Sequence, residues 1–321
     1  MLAALITISF GAMALLAYAT RTQEPPRLNG ERFAAITHGI IRYEMGGSGE
    51  RVMLFLHGFN QSLDVWDHVW RHLDQCPARR LRIDIPGFGA SRVETNDYGL
   101  AAQADRIDEF LAAMKIDRAV VVGGSMGGSL AVAFAARHPE RVDQLILLAP
   151  SAYSGALHRS GLLGRLTRPG PERRAAKWLA DTRIYKILFP RSAALQAATV
   201  TASYGPAWVD QLRQVKAPAF VVWSSGDDVA SRDSAPKVVD AMPDGTLFWL
   251  DALAGHDIPS TRPEFVAQAA CLMIRGNRAR DLPLMLSREQ SGNRGRVAGS
   301  FEPRPTRQTA RSSQQSRSDR S

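Results

Sequence analysis

The sequence predicts an α/β domain: a mostly parallel sheet, covered by helices on both faces and interrupted by an inserted helical cap. Three observations carry this. Short aliphatic and β-branched runs, at residues 51–56, 119–122, 142–148 and 218–223, alternate with stretches of helical periodicity. One of those runs passes straight into a helix through Gly123-Gly-Ser125-Met-Gly127, a G-x-S-x-G turn. Between residues 151 and 215 strand-like alternation stops, and helical stretches are broken at Pro169-Gly-Pro171, Pro190 and Gly205-Pro206.

A chain of 321 residues with 45% hydrophobic content can bury one large core. Its first twenty residues carry no charge and include Leu2, Leu5, Ile6, Ile8, Phe10, Met13, Leu15 and Leu16, enough apolar length to span a bilayer. Arg21, Arg27 and Arg32 follow that run and none precedes it, which favours an uncleaved anchor with the remaining chain on the cytoplasmic side. Ala17-Tyr-Ala19 offers the alternative of a cleaved signal peptide and an exported soluble form. Residues 21–32, with Pro25-Pro26, read as a linker. The net charge of +9 suggests nucleic acid until it is located. Eleven Arg against four acids between residue 275 and the end account for about +7 of it. Residues 276–321, rich in Ser, Gln, Arg and Pro, therefore read as a solvated, disordered tail, and no specific nucleic-acid partner is expected. Cys76 and Cys271 make neither a disulfide framework nor a metal site, and Cys271 reads as core.

The core divides into a first part at 33–150 and a second at 216–275, on either side of the cap at 151–215. Strand candidates at 33–36 and 39–43 close on the Gly46-Gly47-Ser48-Gly49 turn. The run 51–56 leads into His57-Gly58-Phe59-Asn60, after which Ser62 caps a helix with Leu63, Trp66, Val69, Trp70 and Leu73 at helical spacing. A strand at 81–85 ends in Asp84-Ile-Pro-Gly-Phe-Gly-Ala-Ser91, and a helix covers about 100–115. After the cap, strands at 218–223 and 246–250 and a helix from 262 to 274 complete the pattern. In such sheets, sites collect at the carboxyl ends of the strands. His57, Asp84, Ser125, Asp227 and His256 all stand just past strands.

A strand that turns at once into a helix holds its apex residue strained and projecting, so Ser125 is placed as a nucleophile. A phosphate-binding glycine turn is disfavoured, because the dinucleotide pattern counted from Gly123 wants Gly where Ser125 stands. A serine needs a base, and the base an orienting acid. Of the seven histidines, 68 and 72 lie on a helix and 138 stands beside Pro139. His158 lies in the cap, and His57 supports its own turn. His256, on a loop after the last strand, reads as the base, and Asp227 or Asp228 as the acid. The oxyanion would be received by the backbone N–H groups of Met126 and Phe59.

Taken together, His57-Gly-Phe-Asn60, Asp84-Ile-Pro-Gly-Phe-Gly-Ala-Ser91 and Gly123-Gly-Ser-Met-Gly-Gly128 resemble the α/β-hydrolase fold superfamily over about residues 33–274. The resemblance implies hydrolysis of an acyl compound, first of all a carboxylic ester, through an acyl-serine intermediate without metal or organic cofactor. Carbon–carbon bond hydrolases and cofactor-free haloperoxidase-like esterases share the Ser-Met-Gly-Gly form and stand as alternatives. Serine here departs from the epoxide-hydrolase and haloalkane-dehalogenase relatives, which use Asp. The family's acid follows a strand-ending Trp by four residues, which selects Asp227 after Trp223, although Ser224 stands where a Gly is usual. Trp178, Tyr185, Phe189 and Trp208 imply an apolar lining for a small-molecule acyl substrate, while Arg159, Arg165, Arg168, Arg173 and Arg174 could hold a second carboxylate. A catalytically inactive, membrane-tethered binding module is the alternative of another class, and an ordered Ser, Asp and His argue against it.

Overall fold

A computed structural model describes residues 32–94, 97–151 and 205–292. The expected N-terminal apolar segment, most of the cap and the end of the basic tail lie outside the described residues. Among the described residues no helix is long and apolar enough to cross a membrane.

The chain forms a nine-stranded sheet. Its strands are β1 (Arg32–Ile36), β2 (Gly39–Gly46), β3 (Val52–Leu56), β4 (Arg79–Ile83), β5 (Arg92–Val93), β6 (Ala119–Gly124), β7 (Val142–Leu148), β8 (Ala219–Ser224) and β9 (Gly245–Leu250). The order is β1-β2-β4-β3-β6-β7-β8-β9, with β5 paired to β2. β2 runs antiparallel to β1, β4 and β5, and every pairing from β4 to β9 is parallel. Composition explains the positions. β3, β6 and β8 are wholly buried, as continuous apolar runs must be when both sheet faces are covered. β9, at the edge, alternates between partly buried and buried residues.

The helices are α1 (Asp67–Arg71), α2 (Leu100–Ala113), α3 (Met126–Arg137), α4 (Pro206–Gln214), α5 (Ser234–Ala241), α6 (Ile258–Thr261), α7 (Pro263–Ile274) and α8 (Leu282–Gly292). One group joins α2, α3, α4 and α5, and the other joins α1, α6, α7 and α8, so that helices cover the sheet on both sides. α4, inside the expected cap, packs on α3 and buries Trp208, whose indole N–H donates to the Ser129 carbonyl at 3.4 Å.

Three expectations need correction. β4 begins at Arg79 and ends at Ile83, two residues earlier than the apolar run suggests. Its arginines are accommodated by partners: Arg80 and Arg82 stack on the Trp70 ring at 4.8 Å, and Arg82 also pairs with Glu44 and Asp67. The expected disordered tail does not begin at 276: α8 follows α7, and Ala279, Leu282 and Leu286 are buried. Leu282 and Leu286, one helical turn apart, supply an apolar stripe that the tail's overall charge conceals. Finally, Cys76 and Cys271 are joined in a disulfide with a Cα–Cα distance of 5.6 Å, and Cys271 is only partly buried.

Candidate active site

The turn between β6 and α3 follows from close packing. A Cβ on Gly123 would stand 2.4 Å from the Gly127 carbonyl oxygen, and one on Gly127 would stand 2.1 Å from the Leu56 carbonyl oxygen. Only glycine lets the helix start this close to β3. Ser125, between them, has φ 50° and ψ −115°, a conformation that costs a non-glycine residue on the order of 1–3 kcal/mol. Its N–H donates to the Leu148 carbonyl at 2.9 Å, and its carbonyl accepts from Gly128 and Ser129 at 3.0 and 3.2 Å. The strained residue is therefore fixed on both sides, and its side chain stands clear of the sheet.

Ser125 Oγ lies 2.9 Å from His256 Nε2. His256 Nδ1 lies 2.9 Å from Asp227 Oδ2 and 3.1 Å from Oδ1. A carboxylate can only accept, so Nδ1 carries the proton and Nε2 is left to accept the serine hydroxyl. The Asp227 side chain is shut off from solvent, and its Oδ1 also accepts the N–H groups of Val229 and Ala230 at 2.9 and 2.8 Å. Asp228 is exposed. The structure thus brings together Ser125, Asp227 and His256, and leaves Asp228 in solvent.

The loops carrying the acid and the base are packed against each other. Ser224 donates its hydroxyl to the Asp251 carbonyl at 2.8 Å and accepts the Gly226 N–H at 3.1 Å. A Cβ on Gly226 would stand 2.2 Å from the Ala252 carbonyl oxygen, so the close packing of the two loops requires glycine at 226. Asp251 and Arg262 bracket the His256 loop and are joined by two bonds of 2.7 and 2.9 Å. Burial alone would raise the Asp251 carboxyl, but the bonds from Arg262 and from the Leu253 N–H hold it below its ordinary value. The pair was not apparent in the sequence; its signal is an acid and a base placed just outside the histidine loop.

Met126 is the first residue of α3, so its N–H has no intrahelical acceptor. Neither it nor the Phe59 N–H is used in a turn or side-chain bond among the described residues. The Phe59 loop is held from below. His57 is fully buried; its Nε2 accepts the Ile85 N–H at 2.9 Å, which leaves Nδ1 to donate to the Gly58 carbonyl at 2.7 Å. Burial lowers its pKa, against the raising influence of Asp84. Gln61 Oε1 accepts the Gly58 N–H at 2.8 Å. Asp84, also fully buried, accepts the N–H groups of Leu63 and Ala90, both at 2.7 Å, and so ties the loop after β3 to the loop after β4. Asp84 was legible as part of a motif, whereas the Gln61 contact was not. Asp108, His138 and Glu140 have ligand atoms near one another, but Asp108 is engaged by Arg141 at 2.6 Å and His138 by Asp105 at 2.9 Å, so the group reads as an ion-pair network.

Comparison with known proteins agrees with this fold. The chain matches the family described as alpha/beta hydrolase fold over residues 51–180. It is 26% identical over 243 residues to a 2-hydroxy-6-oxononadienedioate/2-hydroxy-6-oxononatrienedioate hydrolase of Paraburkholderia phymatum, covering 67% of this chain and 84% of that one. Over a shorter stretch, 140 residues, it is 34% identical to a 2-hydroxy-6-oxo-6-phenylhexa-2,4-dienoate hydrolase of Comamonas testosteroni, covering 40% of this chain and 48% of the relative. A bacterial membrane phospholipase A has the same fold with a TM-score of 0.58 at 24% identity, covering 86% of this chain and 98% of that one. With its mostly parallel sheet, its strained serine turn and these relatives, the chain belongs to the α/β-hydrolase fold superfamily and is a hydrolase of that fold.

Proposed function

We propose that Ser125 is the nucleophile, His256 the general base and Asp227 the acid that orients it, with the Met126 and Phe59 amides receiving the oxyanion. The observation that carries this is the pair of contacts on one imidazole: Ser125 Oγ at 2.9 Å on Nε2 and Asp227 Oδ2 at 2.9 Å on Nδ1. A fluorophosphonate probe should label the wild type and leave Ser125→Ala unlabelled. Equal labelling of both overturns the assignment.

The relatives named as hydrolases of 2-hydroxy-6-oxo acids support cleavage of a carbon–carbon bond in such a compound, ahead of the carboxylic ester expected first. Both reactions use the same parts. Oγ adds to a carbonyl carbon as His256 takes the hydroxyl proton, and two N–H donors receive the new oxyanion. When the tetrahedral adduct collapses, an ester loses an alkoxide. A 2-hydroxy-6-oxo-dienoate must first ketonise, its 2-hydroxyl proton being lost and C5 gaining one. Breaking the C5–C6 bond of the adduct then releases a conjugated dienolate, which takes the proton from His256. Water then hydrolyses the acyl-serine. Parallel kinetics on a 2-hydroxy-6-oxo-dienoate and on p-nitrophenyl esters of graded acyl length decide between them. A kcat/KM at least 100-fold higher on the dienoate is expected, and the reverse ratio restores the ester reading. The apolar first twenty residues support attachment to a membrane, which cell fractionation tests.

A further inference from the structure

The two cysteines are the only ones in 321 residues, and the structure joins them. Cys76 is buried in the loop between α1 and β4, and Cys271 lies on α7, which packs against α1. The Cα–Cα distance of 5.6 Å lies within the range that a disulfide requires. The bond closes 195 residues of chain, including the Ser125 turn, the Asp227 loop and the His256 loop. It does not touch the triad, so catalysis gives it no role.

We propose that Cys76–Cys271 is a permanent structural bond of the mature protein, and that the catalytic domain therefore works outside the cytoplasm. Forming the bond removes two protons and two electrons from the thiols. The electrons pass to the disulfide of a more oxidising thiol oxidant by exchange through a mixed disulfide. Such oxidants act in exported compartments, whereas cytosolic thiols are kept reduced. A cysteine pair that never met an oxidant would gain nothing from standing at bonding distance. The uncharged, apolar first twenty residues supply the export signal such a location needs, cleaved or retained. Orientation by the arginines that follow the run would place the domain on the opposite, cytoplasmic side, and the disulfide decides against it.

The test uses the full-length chain expressed in a Gram-negative host, acid-quenched and treated with maleimide-polyethylene glycol before and after reduction. No addition without reductant and two additions after it are expected, together with digestion of the domain by protease added to spheroplasts. Two additions without reductant overturn the disulfide. A disulfide-bonded domain that stays protected in spheroplasts overturns the location. In the purified protein, Cys76→Ser/Cys271→Ser should melt on the order of 10 °C lower with the same kcat, because closing so long a loop constrains the unfolded chain strongly. Unchanged melting overturns the structural role.

Discussion

Asp227 points its carboxylate at His256 Nδ1, 2.9 Å away, while its neighbour Asp228 faces solvent. The turn that separates them is set by the Asp227 N–H, which donates to the Ser224 carbonyl at 3.2 Å, and by Asp227 Oδ1, which accepts from Val229 and Ala230. Asp227→Asn keeps an acceptor for those two amides but no longer enforces the imidazole tautomer. The expected loss in kcat is on the order of 10⁴, as for the same change in a serine-protease triad. Asp228→Asn should stay within about threefold, a change typical of an exposed site with no bonded partner in catalysis. Steady-state kinetics of the two variants check this, and a reversed order would give the role to Asp228.

The two glycines at 124 and 127 should respond differently to the same methyl group. At Gly127 a Cβ would stand 2.1 Å from the Leu56 oxygen and 2.5 Å from the His57 oxygen, both backbone atoms that cannot swing aside. At Gly124 the nearest atom is Pro259 Cγ at 3.8 Å, an ordinary contact. Gly127→Ala should lose about 1–3 kcal/mol of stability and most activity, because α3 must move off β3 and carry Met126 with it. Gly124→Ala should be stable to within about 0.5 kcal/mol. Urea denaturation midpoints compare them directly, and equal losses at both sites would refute the packing argument.

What the sequence made legible follows from the range of the interactions involved. The continuous apolar runs of β3, β6 and β8 and the glycine spacing around Ser125 are local, so they could be read. Placing His256 and Asp227 needed chain order and a family spacing. The Cys76–Cys271 bond, the Asp251–Arg262 pair and the Gln61 contact depend on which loops meet, and nothing in composition indicates that. The start of β4 was misread because its arginines look like surface residues until Trp70, Glu44 and Asp67 are placed beside them.

His57 links stability to pH near neutrality. Burial depresses its pKa below 6.5, so in the folded state it stays neutral while the unfolded chain takes up a proton. Between 6.5 and the folded value the unfolded state binds more protons, and stability falls as pH falls through that window. His57→Gln has no such titration. The stability difference between wild type and His57→Gln should shrink from pH 7.5 to pH 5.5, measured by denaturant unfolding. A constant difference would exclude His57 as the source. His57→Phe adds a second expectation: it leaves the buried Ile85 N–H without its acceptor and should cost about 1–3 kcal/mol at pH 7.5.

Asp251 and Arg262 hold the two ends of the loop that presents His256. Arg262 binds both Asp251 oxygens, and Asp251 also caps the turn after β9 by accepting the Leu253 N–H at 2.8 Å. Both side chains are mostly buried, 21% and 17% exposed, so the pair is screened less than a surface pair. Arg262→Gln removes the guanidinium and leaves the carboxylate with its cap bond alone. Stability at pH 7 should fall by about 1–2 kcal/mol, and kcat should fall several-fold as the imidazole loses its fixed place over Ser125. The sign of the pH dependence follows from the depressed carboxyl. Its folded pKa lies below the ordinary 3.8, so the pair's contribution is complete above 3.8 and is lost as pH falls through the folded value. The gap in stability between wild type and Arg262→Gln should therefore be full at pH 5 and narrow toward pH 3. Asp105 also titrates low, held down against its burial by Arg137 and His138, but it does so in both proteins and cancels from the difference. Denaturant midpoints at pH 7, 5 and 3 measure the gap, and one that stays the same at all three would mean that Arg262 acts by packing and not by its charge on Asp251.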